Sequence, residues 1–305
     1  MPVRMTAFRL GTRGSPLALV QAEIVRDGLV AAHGIAVEIR VIKTTGDVVQ
    51  DRPLAEVGGK ALWTKELDRA LLEGEIECAV HSMKDVETTR PPVITIAAIL
   101  ARADFRDRLI GAASIADLPA GATVGTSSPR RSAQLLRLRP DLTIIPFRGN
   151  VETRLAKLAA GEAEATLLAA AGLDRLGRPE VGMAIPIDLM LPAPAQGAIG
   201  VETRENDSRS RSLLAVLNHG PTRRSILTER ALLAALGADC HSPVAALADD
   251  VGMLHAELFS VDGSAHVAGS HTDPHILAND LLDRAPTSIR SLFVRARSAD
   301  STIKS

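Results

Sequence analysis

The sequence predicts an α/β protein of two lobes with mostly parallel sheets, followed by a small α+β domain. Three observations carry that expectation. Apolar strand-like runs alternate with helical runs over the first two thirds of the 305 residues. The motifs of the first lobe then return, in order, in the second. After about residue 218 the alternation stops, and a helical segment gives way to short strands. A chain of this length has room for about two domains of roughly 150 residues, or two and a smaller third.

The elements follow one another as this fold requires. "FRLGTR" (8–13) reads as a strand that runs into the helix "SPLALVQAEIVRDGLVAAH" (15–33), with Ser15 as N-cap and Pro16 at the first helical position. "VEIRVIKT" (37–44) is a strand, and "TKELDRALLEG" (64–74) a helix closed by Gly74. "IECAV" (76–80) and "VITIAAIL" (93–100) are strands. The pattern then restarts: "GTRGSP" (11–16) is echoed by "GTSSP" (125–129), "IRVIKTTGD" (39–47) by "TIIPFRGN" (143–150), and "LLEGEIECAV" (71–80) by "LAAGEAEATL" (158–167). Chance likeness between α/β units is the competing explanation, since short matches are cheap. Beyond "LPAPAQGAIGVETR", the helix "TRRSILTERALLAALG" leads through "ADCHSP" to three short strands and a helix near "HILANDLLDRA".

Composition narrows the function. A net charge of -1 and 2% aromatic residues, with no Tyr, argue against nucleic acid or an anionic membrane as partner. No run reaches the roughly 18 apolar residues of a membrane span, and "MPVRMTAFRL" lacks the apolar core of an export signal, so a cytoplasmic protein is expected. Cys78, in a strand, and Cys240, in a polar loop, suggest neither a disulfide framework nor a metal site.

In open α/β sheets, ligands bind beyond the carboxyl ends of the strands, where helices begin. Arg13, Arg130, Arg131, Arg148, Arg154 and Arg175 all fall on such loops. Guanidinium groups grip carboxylates in pairs, so the set suits a ligand bearing several carboxylates, although any one of them can equally be a solvated surface residue. Lys60, after two glycines, is either a lid residue or a flexible surface lysine. Asp85, just past "IECAV" and next to Lys84, suits a general acid and base or a stabiliser of positive charge, with a turn cap as the plain alternative. Cys240 is an accessible thiol, nucleophilic or incidental, whereas Cys78 belongs to the core.

"GTRGSPLAL", "KTTGD", "VGGKALWTKE", "HSMKD", "GTSSPRR", "RGNVETRLAKL", "LAAAGLDRLG" and "QGAIGVE" stand in the order and spacing of the porphobilinogen deaminase family, to about Val244. The resemblance implies two lobes like those of periplasmic solute-binding proteins and a third domain. Its limits are placed at 1–101 with 197–218 for the catalytic lobe, 102–196 for the second lobe, and 219–305 for the cofactor-bearing domain. It implies a dipyrromethane cofactor on Cys240, built from the enzyme's own substrate, to which four porphobilinogen molecules are added head to tail with loss of ammonia. Hydrolysis then releases hydroxymethylbilane.

In that reading, Asp85 stabilises the positive charge of the azafulvene formed from porphobilinogen and handles the protons. Binding of acetate and propionate groups falls to Arg13, Ser15, Lys60, Ser82, Lys84, Thr126, Ser127, Ser128, Arg130, Arg131, Arg148, Gly149, Arg154, Arg175 and Gln196. A monomer without metal, nucleic acid or membrane partner is expected. The sequence departs from the family pattern at "APAQG", "GGKAL", Glu87 in place of a proline, and "DFRDR". Two other classes compete: a non-catalytic anion-binding protein, and a hydrolase using Cys240 with His241. Adjacent residues project apart and rarely form such a dyad.

Overall fold

A computed structural model describes residues 7–44 and 64–293 of the chain. Its first sheet has the order β2-β1-β3-β10-β4, with β1 (Phe8–Thr12), β2 (Val37–Val41), β3 (Cys78–Ser82), β4 (Ile94–Ile99) and β10 (Ile199–Arg204). Only β10 runs against the others. The second sheet has the order β7-β6-β8-β5-β9: β5 (Asp107–Ile110), β6 (Thr123–Gly125), β7 (Thr143–Ile145), β8 (Ala165–Ala169) and β9 (Met183–Ala184). There only β5 is reversed. The sequence echo is thus an echo of topology: β1, β2 and β3 correspond to β6, β7 and β8. The reversed strand of each sheet is the one that arrives from the other lobe.

The echo extends to packing. A Cβ on Gly11, in β1, would fall 2.3 Å from the Ile76 side chain, and one on Gly125, in β6, 2.3 Å from the Phe147 ring. Each glycine lets a large apolar residue lie flat on the strand just before its helix begins. Helix α1 (Pro16–His33) follows β1, α2 (Lys65–Leu72) precedes β3, α3 (Pro129–Leu138) follows β6, α4 (Val151–Ala159) follows β7, and α5 (Ala170–Arg175) follows β8. Leu10, Val25, Leu29, Cys78 and Val201 centre the first core, and Leu109, Val124, Leu135 and Leu167 the second.

Several boundaries differ from the sequence reading by one to three residues, and one of these shifts bears on the site. "IECAV" was expected to end at Val80, but β3 continues through His81 to Ser82, because β10 pairs with it at Ile199↔Ser82 and Gly200↔His81. His81 is therefore a buried strand residue, its Nε2 3.3 Å from the carboxylate of buried Glu202.

After β10 come α6 (Ser208–Leu214) and α7 (Gly220–Leu236), then the antiparallel sheet β11 (Val244–Ala248), β12 (Leu254–Phe259) and β13 (His266–His271), and the helices α8 (Pro274–Arg284) and α9 (Thr287–Arg290). Helices α7 and α8 cover one face of this sheet through Leu232, Leu236, Leu277 and Leu281. On the other face, Ala245 and Phe259 pack on Ala133 of α3.

Both crossings between the lobes are fastened from α7. Glu229, fully buried, accepts from Arg102 Nη1 at 2.6 Å on the outgoing crossing and from the Ala195 N–H at 2.5 Å on the return. Ala195, in the departing "APAQG", has φ 63°, the single non-glycine residue at positive φ among the described residues.

Candidate functional site

Three helix N-termini converge on one cleft. Ser15 caps α1, its side chain accepting from the Ala18 N–H; Ser128 caps α3, accepting from Arg131; and Asn150 caps α4, accepting from Thr153. Pro16 and Pro129 stand at the first helical positions, where a missing N–H costs nothing. Gly149, at φ 100°, turns the chain ahead of Asn150, where a Cβ would meet Thr153 at 2.7 Å. Residues of all three caps line a cleft of about 1200 Å³, larger than the roughly 300–1,000 Å³ of an ordinary small-molecule pocket. The positive ends of the helix dipoles add to its charge.

Of the residues singled out from the sequence, the cleft is lined by Arg13, Ser15, Ser82, Lys84, Asp85, Ser127, Ser128, Arg130, Arg131, Arg148, Gly149, Arg154, Gln196 and Cys240. Three others fall elsewhere. Lys60 lies outside the described residues. Thr126 is buried behind the lining, its Oγ1 accepting from the Ser128 N–H at 3.2 Å. Arg175 does not line the cleft; its Nη2 donates to the Gly197 carbonyl at 2.7 Å, on the return crossing.

The arginines are not equivalent. Arg131 spends Nε and Nη2 on Asp107 and Nη1 on the Leu167 carbonyl. Arg130 gives Nη1 to Asp107 at 2.6 Å and to the Leu191 carbonyl, while its Nε is buried without a partner. Arg148 Nη1 is likewise shielded and unpartnered. A buried donor left unpaired costs about 1–3 kcal/mol, more when charged, so these atoms mark places where an acceptor is wanted.

Burial draws the Arg154 guanidinium down to about 10, with Arg131 and Arg148 adding to the fall and Asp85 opposing it. Burial likewise brings the Lys84 ammonium down to about 8, against the pull of Asp85 and Asp107 and with the push of Arg131 and Arg130. At neutral pH both remain cations. Burial alone would raise the Asp107 carboxyl, but the charges and hydrogen bonds of Arg130 and Arg131 outweigh it and hold that group far below the usual carboxylate range. Asp107, Gln196 and Arg102 were not read from the sequence as a group. Asp107 stands 23 and 24 residues from its arginine partners, and no spacing rule links them.

Asp85 sits in a short 3₁₀ turn (Met83–Asp85) after β3. The preceding Ser82 accepts from Gln21 Nε2 of α1 at 2.9 Å, and the following backbone is gripped by the third domain. Arg230 of α7 donates to the carbonyls of Val86, Glu87 and Thr88, and Thr88 Oγ1 donates to the Ala238 carbonyl at 2.9 Å. Two residues beyond Ala238 is Cys240, exposed on a loop tied by Asp239 to the His241 N–H and the Ser242 hydroxyl. Surrounding protein nevertheless pushes the Cys240 thiol up to about 12, the negative charges of Asp85 and Asp239 adding to the rise. The expectation of an accessible cysteine stands, but at neutral pH it is a thiol, not a thiolate. Cys78 is fully buried.

The arrangement is a cleft in which cations outnumber carboxylates: Asp85 and the accessible thiol Cys240 share it with Asp68, Glu87, Glu152 and Asp239, and the charge of Asp85 adds to the rise of the thiol. Among the described residues no three His, Cys, Asp or Glu side chains gather as a metal site would require, and no helix is long and apolar enough to cross a membrane.

Comparison with known proteins bears on what such a cleft does. The family model for "Porphobilinogen deaminase, dipyromethane cofactor binding domain" matches residues 8–212. The porphobilinogen deaminase of Sphingopyxis alaskensis is 57% identical over 94% of this chain and 96% of its own. That of Paracoccus denitrificans is 49% identical over 94% and 97%, and the chloroplastic one of Oryza sativa 48% identical over 89% and 79%. Among solved structures, an ABC transporter periplasmic substrate-binding protein from Coxiella burnetii covers 73% of this chain and 94% of its own, at 16% identity and a TM-score of 0.42.

Proposed function

The chain belongs to the porphobilinogen deaminase family, and from that premise we propose that the cleft between its lobes is where porphobilinogen units are joined, with Asp85 as the catalytic carboxylate and Cys240 as the anchor of the dipyrromethane. The activity is that of hydroxymethylbilane synthase: four porphobilinogen molecules are joined head to tail with loss of ammonia, and hydroxymethylbilane is released in tetrapyrrole biosynthesis.

The residues present fit a group bearing several carboxylates. The observation that carries this is the pair of shielded, unpartnered donors, Arg130 Nε and Arg148 Nη1, in a cleft that also holds an accessible thiol. Bound on Cys240, the dipyrromethane supplies the pyrrole carbon onto which new units are built. A thiol with so high a pKa is also a poor leaving group, which favours a lasting C–S bond. Arg13, Arg130, Arg148, Arg154 and Lys84, with the N–H groups at Ser15 and Ser128, receive the acetate and propionate groups.

Asp85 has two tasks. As a carboxylate held by a braced turn, it stabilises positive charge developing on the pyrrole nitrogen of a bound porphobilinogen, and it costs little reorganisation because Arg230 already fixes the backbone beyond it. It also gives a proton to the departing amine and takes up the one lost when the new bond forms. In domain terms, residues 1–101 with 197–218 form the catalytic lobe, 102–196 the carboxylate-binding lobe and 219–305 the anchor domain. Arg175 and Thr126 act from behind the cleft wall. We propose further that the protein works as a cytoplasmic monomer.

The test is intact mass measured after denaturation. The native protein and Cys78→Ser are expected to carry a two-pyrrole adduct, and Cys240→Ser to lack it. An adduct mapped to Cys78, or none in the native protein, would overturn the assignment.

A further inference from the structure

We propose that Asp107 is a positioning residue for this reaction: one buried carboxylate, where the chain enters the second lobe, that holds the carboxylate-binding cations of both lobes in a single hydrogen-bonded string. The proposal rests on the reading of the cleft given above.

Asp107 opens β5, is 1% exposed and does not line the cleft, so it acts through other residues rather than on the ligand. It accepts from Arg130 Nη1 at 2.6 Å, from Arg131 Nη2 at 2.7 Å and Nε at 3.2 Å, and from Gln196 Nε2 at 2.9 Å. Gln196 lies on the return crossing, and its Oε1 accepts from Lys84 Nζ at 3.3 Å. The string therefore runs from Lys84, beside Asp85 in the first lobe, through the return crossing, to the N-terminus of α3 in the second.

Two features argue for a role beyond ordinary ion pairing. Asp107 consumes the side-on Nε and Nη2 edge of Arg131 but only the Nη1 end of Arg130, leaving Arg130 Nε without a partner. It thereby decides which of two adjacent arginines can still take a substrate carboxylate. It is also the buried negative charge that, with Asp85, holds Lys84 protonated against burial, Arg131 and Arg130. An amide in its place would turn an NH₂ toward donors, losing acceptor capacity as well as charge.

The experiment compares Asp107→Asn with the double variant Asp107→Asn, Gln196→Glu, which moves the carboxylate across one hydrogen bond of the same string. Two readouts are taken: kcat/KM, and the titration of Lys84 followed by NMR of its ε-carbon, which is independent of turnover. Asp107→Asn is expected to lower kcat/KM by about ten- to a hundredfold, the scale of a small misplacement of binding groups. It is also expected to shift the Lys84 titration to lower pH. The double variant is expected to move both back toward native values. An Asp107→Asn protein with native kcat/KM and native Lys84 titration would overturn the proposal, as would a folded double variant that recovers neither. If Asp107→Asn fails to fold, the double variant alone decides. Absence of the two-pyrrole adduct from the native protein would sink the reading of the cleft instead, while the Lys84 titration would still decide whether Asp107 holds the string.

Discussion

The charge state of Lys84 offers the sharpest quantitative test of the cleft. A solvated lysine titrates near 10.5, but burial brings Lys84 to about 8, with Arg131 and Arg130 pushing the same way and Asp85 and Asp107 pulling back. For a base the sign is direct: a lowered pKa means that the ammonium is lost at lower pH. If the ammonium receives a substrate carboxylate, kcat/KM falls as pH rises through about 8. With that pKa, about nine tenths of Lys84 is protonated at pH 7 and about one tenth at pH 9, so kcat/KM is expected to drop roughly tenfold between them. A lysine at its ordinary value would remain almost wholly charged at pH 9 and give no such limb. Lys84→Arg keeps the cation throughout, and its profile is expected to stay level across this window even if its absolute rate is lower. The assay is initial-rate kinetics at limiting porphobilinogen from about pH 6 to 9.5, alongside the ε-carbon titration of Lys84. A native profile level to pH 9.5, or a limb that persists unchanged in Lys84→Arg, would refute the reasoning.

Two further outcomes are expected. Asp85→Asn should still bind porphobilinogen but lose turnover by about 10²–10³-fold, the cost of removing one preorganised electrostatic partner; Glu should keep a little activity, and near-normal turnover in the Asn variant would reduce Asp85 to a structural part. Gly263→Ala should weaken the seat of the third domain on α3: Gly263 has φ 70°, and a Cβ there would stand 2.4 Å from the Ala133 carbonyl oxygen and 2.7 Å from the Arg137 nitrogen. A loss of about 1–3 kcal/mol is expected in urea denaturation, and an unchanged midpoint would show that the contact relaxes freely.

Much of this was legible in the sequence because local rules fix it. The Ser-Pro starts of α1 and α3, the glycines of β1 and β6, and the strand that ends beside Asp85 each follow from a few neighbouring residues, and the duplicated order exposed the two lobes. The reversed strand β5 is different. "DRLI" is short and half charged, and it is a strand only because β8 and β9 pair with it on either side. The same holds for the arginines. Arg13, Arg130, Arg131, Arg148 and Arg154 do line the cleft, but only Arg13 and Arg148 do so from loops: Arg130 and Arg131 stand in the first turn of α3 and Arg154 in that of α4, and the donors of Arg130 and Arg131 are allotted by Asp107 and by backbone carbonyls far away in sequence. Arg175, expected on a loop, is the last residue of α5, and its guanidinium goes to a crossing instead.

The departures from the family pattern also become intelligible as contacts. Glu87, in place of a proline, accepts from Arg90 Nη1 at 2.6 Å and from Thr64 Oγ1, and so joins a buried network in which Arg90 also pairs with Asp68 and Glu202. Ala195 holds a left-handed conformation that costs a residue with a Cβ about 1–2 kcal/mol, and the bond from its N–H to Glu229 offsets part of that. Glu229 and Arg230 are consecutive on α7: the first fastens both crossings, and the second grips the turn behind Asp85. Any opening between the lobes must bend those crossings. It therefore loads the helix whose next loop carries Cys240, so the two crossings, the turn that carries Asp85 and the loop that carries Cys240 all meet on α7.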